Sequence, residues 1–323
     1  MKPDCSIVIR TYNEEQHIGR LLSGILKQTL EDIEVVIVDS GSTDATRSIA
    51  SRYPVTIVSI DPSEFTFGRS LNFGCEETRA EVIVIASAHV YPVYVDWLEQ
   101  LLAPFEDDNI WMTYGSQRGG ETTRFSERQQ FRKLFPEVSD WDQGHPLCNN
   151  ANAAIRREAW VRNHYDETLP GLEDIAWAKW ALGQGGKLAY VAEAEIVHVH
   201  DESPLQVFNR YRREAMALRR IRPDERFNLV DFVRLFTANV VSDLGQAAKD
   251  GGLSRYASDI LSFRFSQFWG TYSGFSYAGD LTNELKQAFY YPANSTAINT
   301  TSQRAVEHVH YETSELDTTK ERT

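Results

Sequence analysis

The sequence has few cysteines and no long apolar run, and both absences restrict the kind of protein it can be. Its three cysteines, Cys5, Cys75 and Cys148, have no metal-type spacing. An odd, sparse set argues against a disulfide framework and for a reducing compartment. No stretch of about 18 apolar residues occurs, so we expect no transmembrane helix. The opening "MKPDCSIVIRTYN" lacks the apolar core of a signal peptide, and we expect a cytoplasmic protein, with peripheral contact at the inner face of the cell membrane left open.

A basic excess is also missing. The 323 residues carry 33 Lys and Arg against 46 Asp and Glu, which gives a net charge of −13. General nucleic-acid binding needs a basic footprint. We therefore expect no nucleic-acid partner.

Two common nucleotide motifs are absent. No Gly-x-Gly-x-x-Gly follows the first apolar run, and no Gly-x-x-x-x-Gly-Lys occurs anywhere. These motifs hold the phosphates of nicotinamide cofactors and of P-loop nucleotides, respectively. A nicotinamide enzyme and a P-loop enzyme are both disfavoured.

What the sequence does contain is an alternation of apolar runs and helical patterns. "SIVIR", "IEVVIVDS", "VTIVSI", "EVIVIAS" and "IWMTYGSQ" read as strands, with helical spacing between them. Such alternation predicts an α/β fold with a mostly parallel sheet covered by helices. Ligands then lie beyond the carboxyl ends of the strands, which directs attention to the loops at 11–14, 39–42, 61–69 and 87–89.

The second half divides into three parts. Residues 116–146 read as an irregular insertion, and "KLAYVAEAEIVHVH" as two short strands. The alternation stops near Arg222, so we predict a domain over 1–220, a helical C-terminal extension over 221–292 and a polar, flexible tail over 293–323. A basic helix with Arg210, Arg212 and Arg213 precedes the extension. It either neutralises an anionic ligand or forms a solvated face.

The motifs, taken together and in order, resemble the family 2 glycosyltransferases. The resemblance is carried by "VIRTYNEEQHIGRLLSGILKQT", "EVVIVDSGSTDATRSIA", "NNANAAIRREAW" and "LPGLEDIAWAKWALGQGG". Members of that family are inverting enzymes of the GT-A fold, and the later part is most similar to bacterial rhamnosyltransferase-like members. The resemblance therefore implies a GT-A type sheet.

It also implies donor-binding residues. In the family the first-strand loop and the second-strand aspartate hold the nucleotide base and ribose. Here those positions are Thr11, Tyr12, Glu14 and Asp39. Arg69 matches the segment that approaches the nucleotide sugar, with an ordinary surface arginine as the alternative.

The pair Glu173-Asp174 in "GLEDIAW" opens a helix. An acidic pair there is often no more than favourable electrostatics at the helix amino end. The resemblance instead makes one carboxylate the general base that takes the proton of the acceptor hydroxyl. We assign this role to Asp174 with Glu173 in support, and the reverse stays open. Asn152 and Trp177 are candidate substrate-binding residues, with backbone bonding and core packing as the respective alternatives.

One motif departs from the family. Ser87-Ala88-His89 stands where members carry Asp-x-Asp, which binds Mg²⁺ or Mn²⁺. His198 and His200 lie two apart on a strand and so share a face. His89 can bind a borderline ion such as Mn²⁺ with one of them. Alternatively, His89 and arginines carry the leaving-group charge without a metal, the donor is a monophosphate sugar, or the domain is inactive.

These observations predict inverting transfer of a sugar from a nucleotide-activated donor to the hydroxyl of a saccharide or lipid-linked saccharide, in bacterial surface polysaccharide or glycolipid synthesis. The rivals are a non-catalytic nucleotide-sugar-binding module and a nucleotidyltransferase. The latter needs a basic Gly-rich loop that "TYNEEQHIG" lacks. The aromatic C-terminal helices predict packing or a homodimer over binding to anionic lipid.

Overall fold

The computed structural model describes residues 2–279 and 281–290, together with Val309 and Tyr311. Its strands are Cys5–Thr11 (β1), Ile33–Asp39 (β2), Thr56–Ser59 (β3), Val82–Ser87 (β4), Val90–Pro92 (β5), Ile110–Gly119 (β6), Asp140–Gln143 (β7), Asn152–Arg156 (β8) and Lys187–His198 (β9). Its helices are Ile18–Leu26 (α1), Thr46–Ala50 (α2), Phe67–Glu76 (α3), Trp97–Leu102 (α4), Phe125–Leu134 (α5), Arg157–Arg162 (α6), Glu173–Gly183 (α7), Pro204–Ile221 (α8), Leu229–Lys249 (α9), Leu253–Ser276 (α10) and Asn283–Tyr290 (α11).

The strands of the described residues form a single sheet in the order β3-β2-β1-β4-β8-β6-β9-β5, with β7 paired to β9. The ladders from β3 to β4 are parallel, as the alternation of strands and helices predicts. β8 lies antiparallel between β4 and β6, and β6 runs parallel to β9. The carboxyl ends of β1, β2 and β4 therefore meet at one edge.

Both faces of the sheet are buried, which explains the unbroken apolar runs of its central strands. Val8 of β1 joins one core with Ile83 of β4, whereas Ile7 and Val84 point into a second core on the other face. Successive residues of a strand point to opposite faces, so a strand covered on both sides has no polar alternation.

The C-terminal helices pack onto the sheet domain through α8. Gly270 and Gly274 of α10 allow close approach, because a Cβ at either would lie within 2.5 Å of a backbone oxygen of α8. Arg264 of α10 is buried and donates to both carboxylate oxygens of Asp243 on α9. It also donates to the backbone oxygen of Ser126 on α5. A buried pair of this kind is costly to break, so it holds α9 and α10 together, and the bond to Ser126 ties α10 to the domain.

Two segment predictions are wrong. Residues 187–198 form one long strand, because β9 pairs with β6, β5 and β7 along its length. The segment 116–146 is not irregular, since it contains α5 and β7.

The basic helix is also not a solvated face. Arg210 pairs with Glu127 and Glu202, Arg212 lies over the Tyr277 ring and Arg213 over the Phe67 ring. These arginines therefore hold α8 against its neighbours.

The domain limits and the flexible tail stay predictions. Most of 293–323 lies outside the described residues, but the backbone N–H of Val309 donates to the carbonyl of Val93, and the Tyr311 hydroxyl to that of Pro92. Within the described part of the chain, no helix is both long enough and apolar enough to cross a membrane.

Candidate active site

A cleft of about 480 Å³ opens at the carboxyl edge of the parallel strands. Its walls come from the loop after β1, the turn after β4, the start of α7, the segment after β9, α8 and the end of α11. This is the edge at which α/β sheets bind ligands. The structure therefore brings the predicted base and the predicted histidines into one cleft. We call the part at Glu173 and Asp174 the acid end, and the part at His89, His198 and His200 the histidine end.

The acid end is built on an unusual backbone. Leu172, just before α7, has a φ of 55°. This left-handed conformation is uncommon for a branched side chain and occurs where the surroundings over-determine it. It places Glu173 and Asp174 in the first turn of α7, where the helix dipole favours negative charge.

The two carboxylates have different partners. Nη1 of Arg10 donates to Oε1 of Glu173 at 3.1 Å, and the Glu173 side chain is 5% exposed. The side-chain amide of Asn150 also donates to that oxygen. Asp174 instead accepts from the backbone N–H groups of Asn150 and Ile175. Glu173 is therefore held in an ion pair, and Asp174 is held only by neutral donors among the described residues.

This difference shifts the protonation of Asp174. Burial and then the negative charge of Glu173 raise the pKa of Asp174 to about 7, against the opposing effect of its two backbone hydrogen bonds. A general base works best when its pKa lies near the operating pH. Asp174 thus has the properties that proton abstraction requires, and it lines the open cleft.

The loop after β1 supplies most of the wall between the two ends. Thr11, Tyr12 and Glu14 line the cleft, and their contact with a nucleotide stays a prediction. Asn13 between them has a φ of 54°, and its side-chain oxygen accepts from the backbone N–H of Thr43. This bond ties the loop to the segment after β2.

Asp39 lies behind that wall and is 1% exposed. Its carboxylate accepts from Thr11 Oγ1, from the backbone N–H groups of Gly41 and Ser42, and from Arg47. These bonds fix the loop after β2. Direct contact of Asp39 with a nucleotide stays a prediction.

At the histidine end, His89, His198 and His200 come together. One ring nitrogen of each lies within 4.8 Å of the others. The rings of His89 and His198 stack with centroids 5.1 Å apart, and Ser87 Oγ lies 3.1 Å from Nε2 of His89. The substituted Asp-x-Asp position therefore adjoins the two histidines after the last strand.

The hydrogen bonds of these histidines fix where their protons lie. Nδ1 of His89 donates to Glu14, Nδ1 of His198 to the side-chain amide oxygen of Gln117, and Nδ1 of His200 to Glu127, at 2.7–2.8 Å. Nε2 of His198 and Nε2 of His200 face each other at 3.1 Å. With each Nδ1 already donating, a proton or a cation must lie between these two Nε2 atoms.

The charges of the cluster follow from these contacts. Burial, followed by the charges of His200 and His89, lowers the pKa of His198 well below its usual value, so its ring is neutral. Burial acts in the same direction on His89, but the charge and hydrogen bond of Glu14 outweigh it and raise the pKa of His89. The cluster thus contains a neutral imidazole beside one that is more readily protonated.

Three predicted site residues do not reach the cleft and are corrected here. Asn152 is fully buried, accepts from the indole of Trp97 and donates to backbone oxygens of Ser116 and Ala194. Trp177 is 1% exposed in the core, with its indole bonded to the backbone of Asn163. Arg69 lies outside the lining, next to Glu64. Asn149 and Asn150, which share a motif with Asn152, line the cleft instead.

The sequence prediction missed several lining or supporting residues. Arg10 is the last-but-one residue of β1 and could have been found, since it lies at the carboxyl edge where ligands bind. Gln117 and Glu127 lie in a segment with no clear period. Phe289 and Tyr290 come from the extension, more than 110 residues after Asp174 in the chain, and no local pattern connects them to the site.

Comparison with known proteins identifies the domain that carries this cleft. Residues 6–162 match the family model "Glycosyl transferase family 2". The chain is 27% identical over 228 residues to the O-antigen chain rhamnosyltransferase WbaN of Salmonella anatum, covering 65% of this chain and 70% of that protein. It is 26% identical over 219 residues to RfbN, the O-antigen chain rhamnosyltransferase of Salmonella typhimurium, covering 64% and 69%, respectively.

Among solved structures, the fold is similar to that of the mannosyltransferase PcManGT from Pyrobaculum calidifontis, determined in complex with GDP-Man and Mn²⁺. The TM-score is 0.59 at 18% identity, over 85% of this chain and 87% of that one. Identity this low speaks only for the fold, and it confirms the predicted GT-A architecture. Residues 6–162 therefore form a glycosyltransferase family 2 domain, within a chain that has a GT-A fold, and the relatives support glycosyltransferase activity.

Proposed function

We propose that this cleft transfers a sugar, with inversion, from a nucleoside-diphosphate sugar to a hydroxyl of a saccharide or lipid-linked saccharide in the synthesis of a bacterial surface polysaccharide. The observation that carries the proposal is Asp174, a cleft carboxylate whose pKa is raised to about 7 beside an ion-paired Glu173. The two Salmonella relatives, named as rhamnosyltransferases, make a rhamnosyl or related deoxyhexosyl donor the first to test.

The chemistry assigned to the acid end is one proton transfer and one displacement. Asp174 accepts the proton of the acceptor hydroxyl, and the oxygen attacks the anomeric carbon from the face opposite the leaving group. The bond between that carbon and the phosphate oxygen breaks, and its electron pair leaves with the nucleoside diphosphate. Glu173 keeps Arg10 in place and, through its own charge, helps to keep Asp174 basic.

The histidine end fits a divalent cation held by nitrogen. Nδ1 of each imidazole donates to an oxygen acceptor, which is the usual support of a metal-binding histidine. Two nitrogens on one ion at about 2.1 Å each lie about 3.0–3.4 Å apart, close to the 3.1 Å seen between His198 and His200. Imidazole ligands favour ions such as Zn²⁺, whereas Mg²⁺ and Mn²⁺ prefer oxygen ligands, so Zn²⁺ suits this set best. Such an ion would offset charge on the leaving diphosphate.

A metal-free version of the same site is the second proposal. Against the effect of burial, the charge and hydrogen bond of Glu14 raise the pKa of His89. This favours the protonated imidazole, which can donate to a phosphate oxygen. In this version the proton shared by His198 and His200 takes the place of the ion. The two versions differ in one observable, the response of donor binding to added Mn²⁺ or Zn²⁺.

The function is tested by nucleotide release from GDP-mannose, UDP-N-acetylgalactosamine and dTDP-rhamnose. Each donor is supplied with and without p-nitrophenyl pyranosides as acceptors, and the product linkage is read by NMR. We expect one donor to be turned over, with release stimulated by acceptor and with inverted configuration at the new bond. Binding of a donor without any turnover would favour the non-catalytic module, and a retained configuration would contradict the displacement.

We also propose that the outer face of α9 and α10 buries against a second copy of the chain. Val233, Leu261, Phe265 and Trp269 are between 39% and 54% exposed there. Arg264, which is buried, provides the sole charge between residues 260 and 279. A helix resting on anionic lipid would present Lys and Arg, whereas residues 260–279 expose no charge, which suits packing against an identical helix. Light scattering should show a dimer that Phe265→Glu converts to a monomer; a monomeric wild type that binds lipid vesicles would contradict it.

A further inference from the structure

The end of α11 closes one wall of the cleft. Phe289 and Tyr290 line the cleft and are 4% and 7% exposed. Arg213 of α8 fixes them, because its Nη1 donates to the backbone oxygen of Phe289 at 2.9 Å while its guanidinium lies over the Phe67 ring. The C-terminal extension therefore contributes to the site, although it lies beyond the residues that match the family model.

Tyr290 completes an aromatic wall. Its ring lies edge-to-face against Phe65 and Phe67, with centroids 5.3 and 5.4 Å away, and the rings of Phe65 and Phe67 are 5.5 Å apart. Phe65 and Phe67 line the cleft as well. Three rings in mutual contact form a rigid apolar surface at the edge of an otherwise polar cleft.

The hydroxyl of Tyr290 is the unexplained part of this wall. It is buried and has no hydrogen-bond partner among the described residues. A buried hydroxyl normally finds a partner, and one that lacks it calls for an explanation. Burial also raises the pKa of Tyr290 to about 12, so the group remains a neutral donor at any working pH.

The aromatic wall of Phe65, Phe67 and Tyr290 lies next to the acid end. Arg10 connects the two, since its Nη1 donates both to the Phe67 backbone oxygen and to Glu173, and its guanidinium lies 4.7 Å from the Phe67 ring centroid. The negative charge of Glu173 also acts on Tyr290. A molecule resting on this wall would therefore lie beside Glu173, in the same first turn of α7 as Asp174.

We propose that Phe67 and Tyr290 form the acceptor subsite, in which a pyranose ring packs on the aromatic wall and one of its hydroxyls accepts a hydrogen bond from the Tyr290 hydroxyl. Sugar rings have apolar C–H faces and polar edges, which suits a wall that is aromatic with one buried donor. This inference rests on the proposed function, since it assigns the acceptor side of the same reaction.

The test is Tyr290→Phe, which removes only the hydroxyl, assayed with the donor that the wild type turns over and with p-nitrophenyl pyranosides. Losing one neutral hydrogen bond should raise the acceptor KM about 3- to 10-fold. The donor KM, and the slow donor hydrolysis without acceptor, should not change. Tyr272→Phe, on α10 beside Trp269 and away from the cleft lining, is the matched control and should equal the wild type in all three.

The outcomes separate the two proposals. A wild type that turns over no donor overturns the proposed function and this inference with it. A wild type that transfers sugar while Tyr290→Phe keeps its acceptor KM overturns the subsite alone. If Tyr290→Phe raises the donor KM, the wall belongs to the donor and the inference is also wrong. Saturation-transfer NMR of the same pyranosides on both variants gives a binding measurement that does not depend on turnover.

Discussion

Each end of the cleft brings together groups that carry the same charge when ionised, carboxylates at the acid end and imidazoles at the histidine end. At the acid end a single cation, Arg10, pairs with Glu173, and Asp174 has neutral donors only among the described residues. At the histidine end each imidazole has an acceptor of its own, Glu14, Gln117 or Glu127.

This difference decides what each end can do. The unequal partners at the acid end separate two similar carboxylates into a paired one and a basic one. At the histidine end each Nδ1 has its own acceptor, and ring nitrogens lie within reach of one another, so the cluster is suited to share one cation or one proton. One end is therefore built for a single reactive group, and the other for a group of ligands.

The largest effect should come from removing the basic group at the acid end. Asp174→Asn keeps the shape of the side chain but cannot accept a proton, so transfer should fall by about 10²- to 10⁴-fold. Donor binding, measured by calorimetry, should be unchanged because the histidine end is intact. Asp108→Asn, at an exposed side chain, is the control. Transfer within threefold of the wild type would contradict the assignment.

The next effect comes from the histidine end. His200→Ala removes one of the facing nitrogens, and loss of a ligand should weaken Mn²⁺ or Zn²⁺ binding by at least the roughly 10- to 100-fold seen for supporting residues. Metal binding is followed by the thermal shift with each ion and by Mn²⁺ electron paramagnetic resonance. His164→Ala, at an exposed ring stacked on Trp160, is the control. If Mn²⁺ and Zn²⁺ bind the wild type and His200→Ala equally, the metal-free version of the site is supported.

A smaller effect should distinguish the two carboxylates. Glu173→Gln removes the charge that helps to raise the pKa of Asp174 and leaves Arg10, which lowers it. With Asp174 as the base, activity of the wild type should fall as pH drops through about 7, and in Glu173→Gln this acidic limb should move to lower pH. The profile of kcat/KM against pH measures it. Loss of all activity in Glu173→Gln with an active Asp174→Asn would reverse the two roles.

The sequence predicted some parts of this comparison better than others, and the reasons are physical. The parallel strands could be predicted because burial on both faces leaves continuous apolar runs such as "SIVIR" and "EVIVIAS". His89 could be placed because it follows the end of a recognisable strand, and Asp174 because it opens a recognisable helix in a motif that resembles the family. The partners that give each residue its properties, Arg10, Gln117 and Glu127, are 73 or more residues away in sequence from the groups they contact, and only the folded chain brings them together.

Asn152 and Trp177 are the reverse case, residues that the sequence predicted at the site and the structure places elsewhere. Both residue types bind sugars in many sites, and both lie in motifs of the right kind, but chemistry alone does not show which way a side chain points. Asn152 begins β8 and points into the sheet, where it satisfies two backbone oxygens, while its neighbours in the preceding turn face the cleft. A shift of two residues thus separates a structural amide from a candidate ligand.

The smallest effect concerns stability, and it follows from the raised pKa of Asp174. A folded-state pKa of about 7 against 3.8 means that between these values the native protein holds a proton that the unfolded chain has released, so stability falls as pH rises toward 7. Asp174→Asn has no such group and escapes this loss. The new amide of the Asp174→Asn variant loses a backbone hydrogen bond at every pH, which lowers its Tm by an amount that does not depend on pH. The informative quantity is therefore how the Tm difference between the variant and the wild type changes with pH. We expect Tm of Asp174→Asn minus Tm of the wild type to rise by on the order of 2–5 °C from pH 5 to pH 8. A difference that does not depend on pH would mean that Asp174 is ionised throughout, and the contrast between the two ends would then rest on geometry alone.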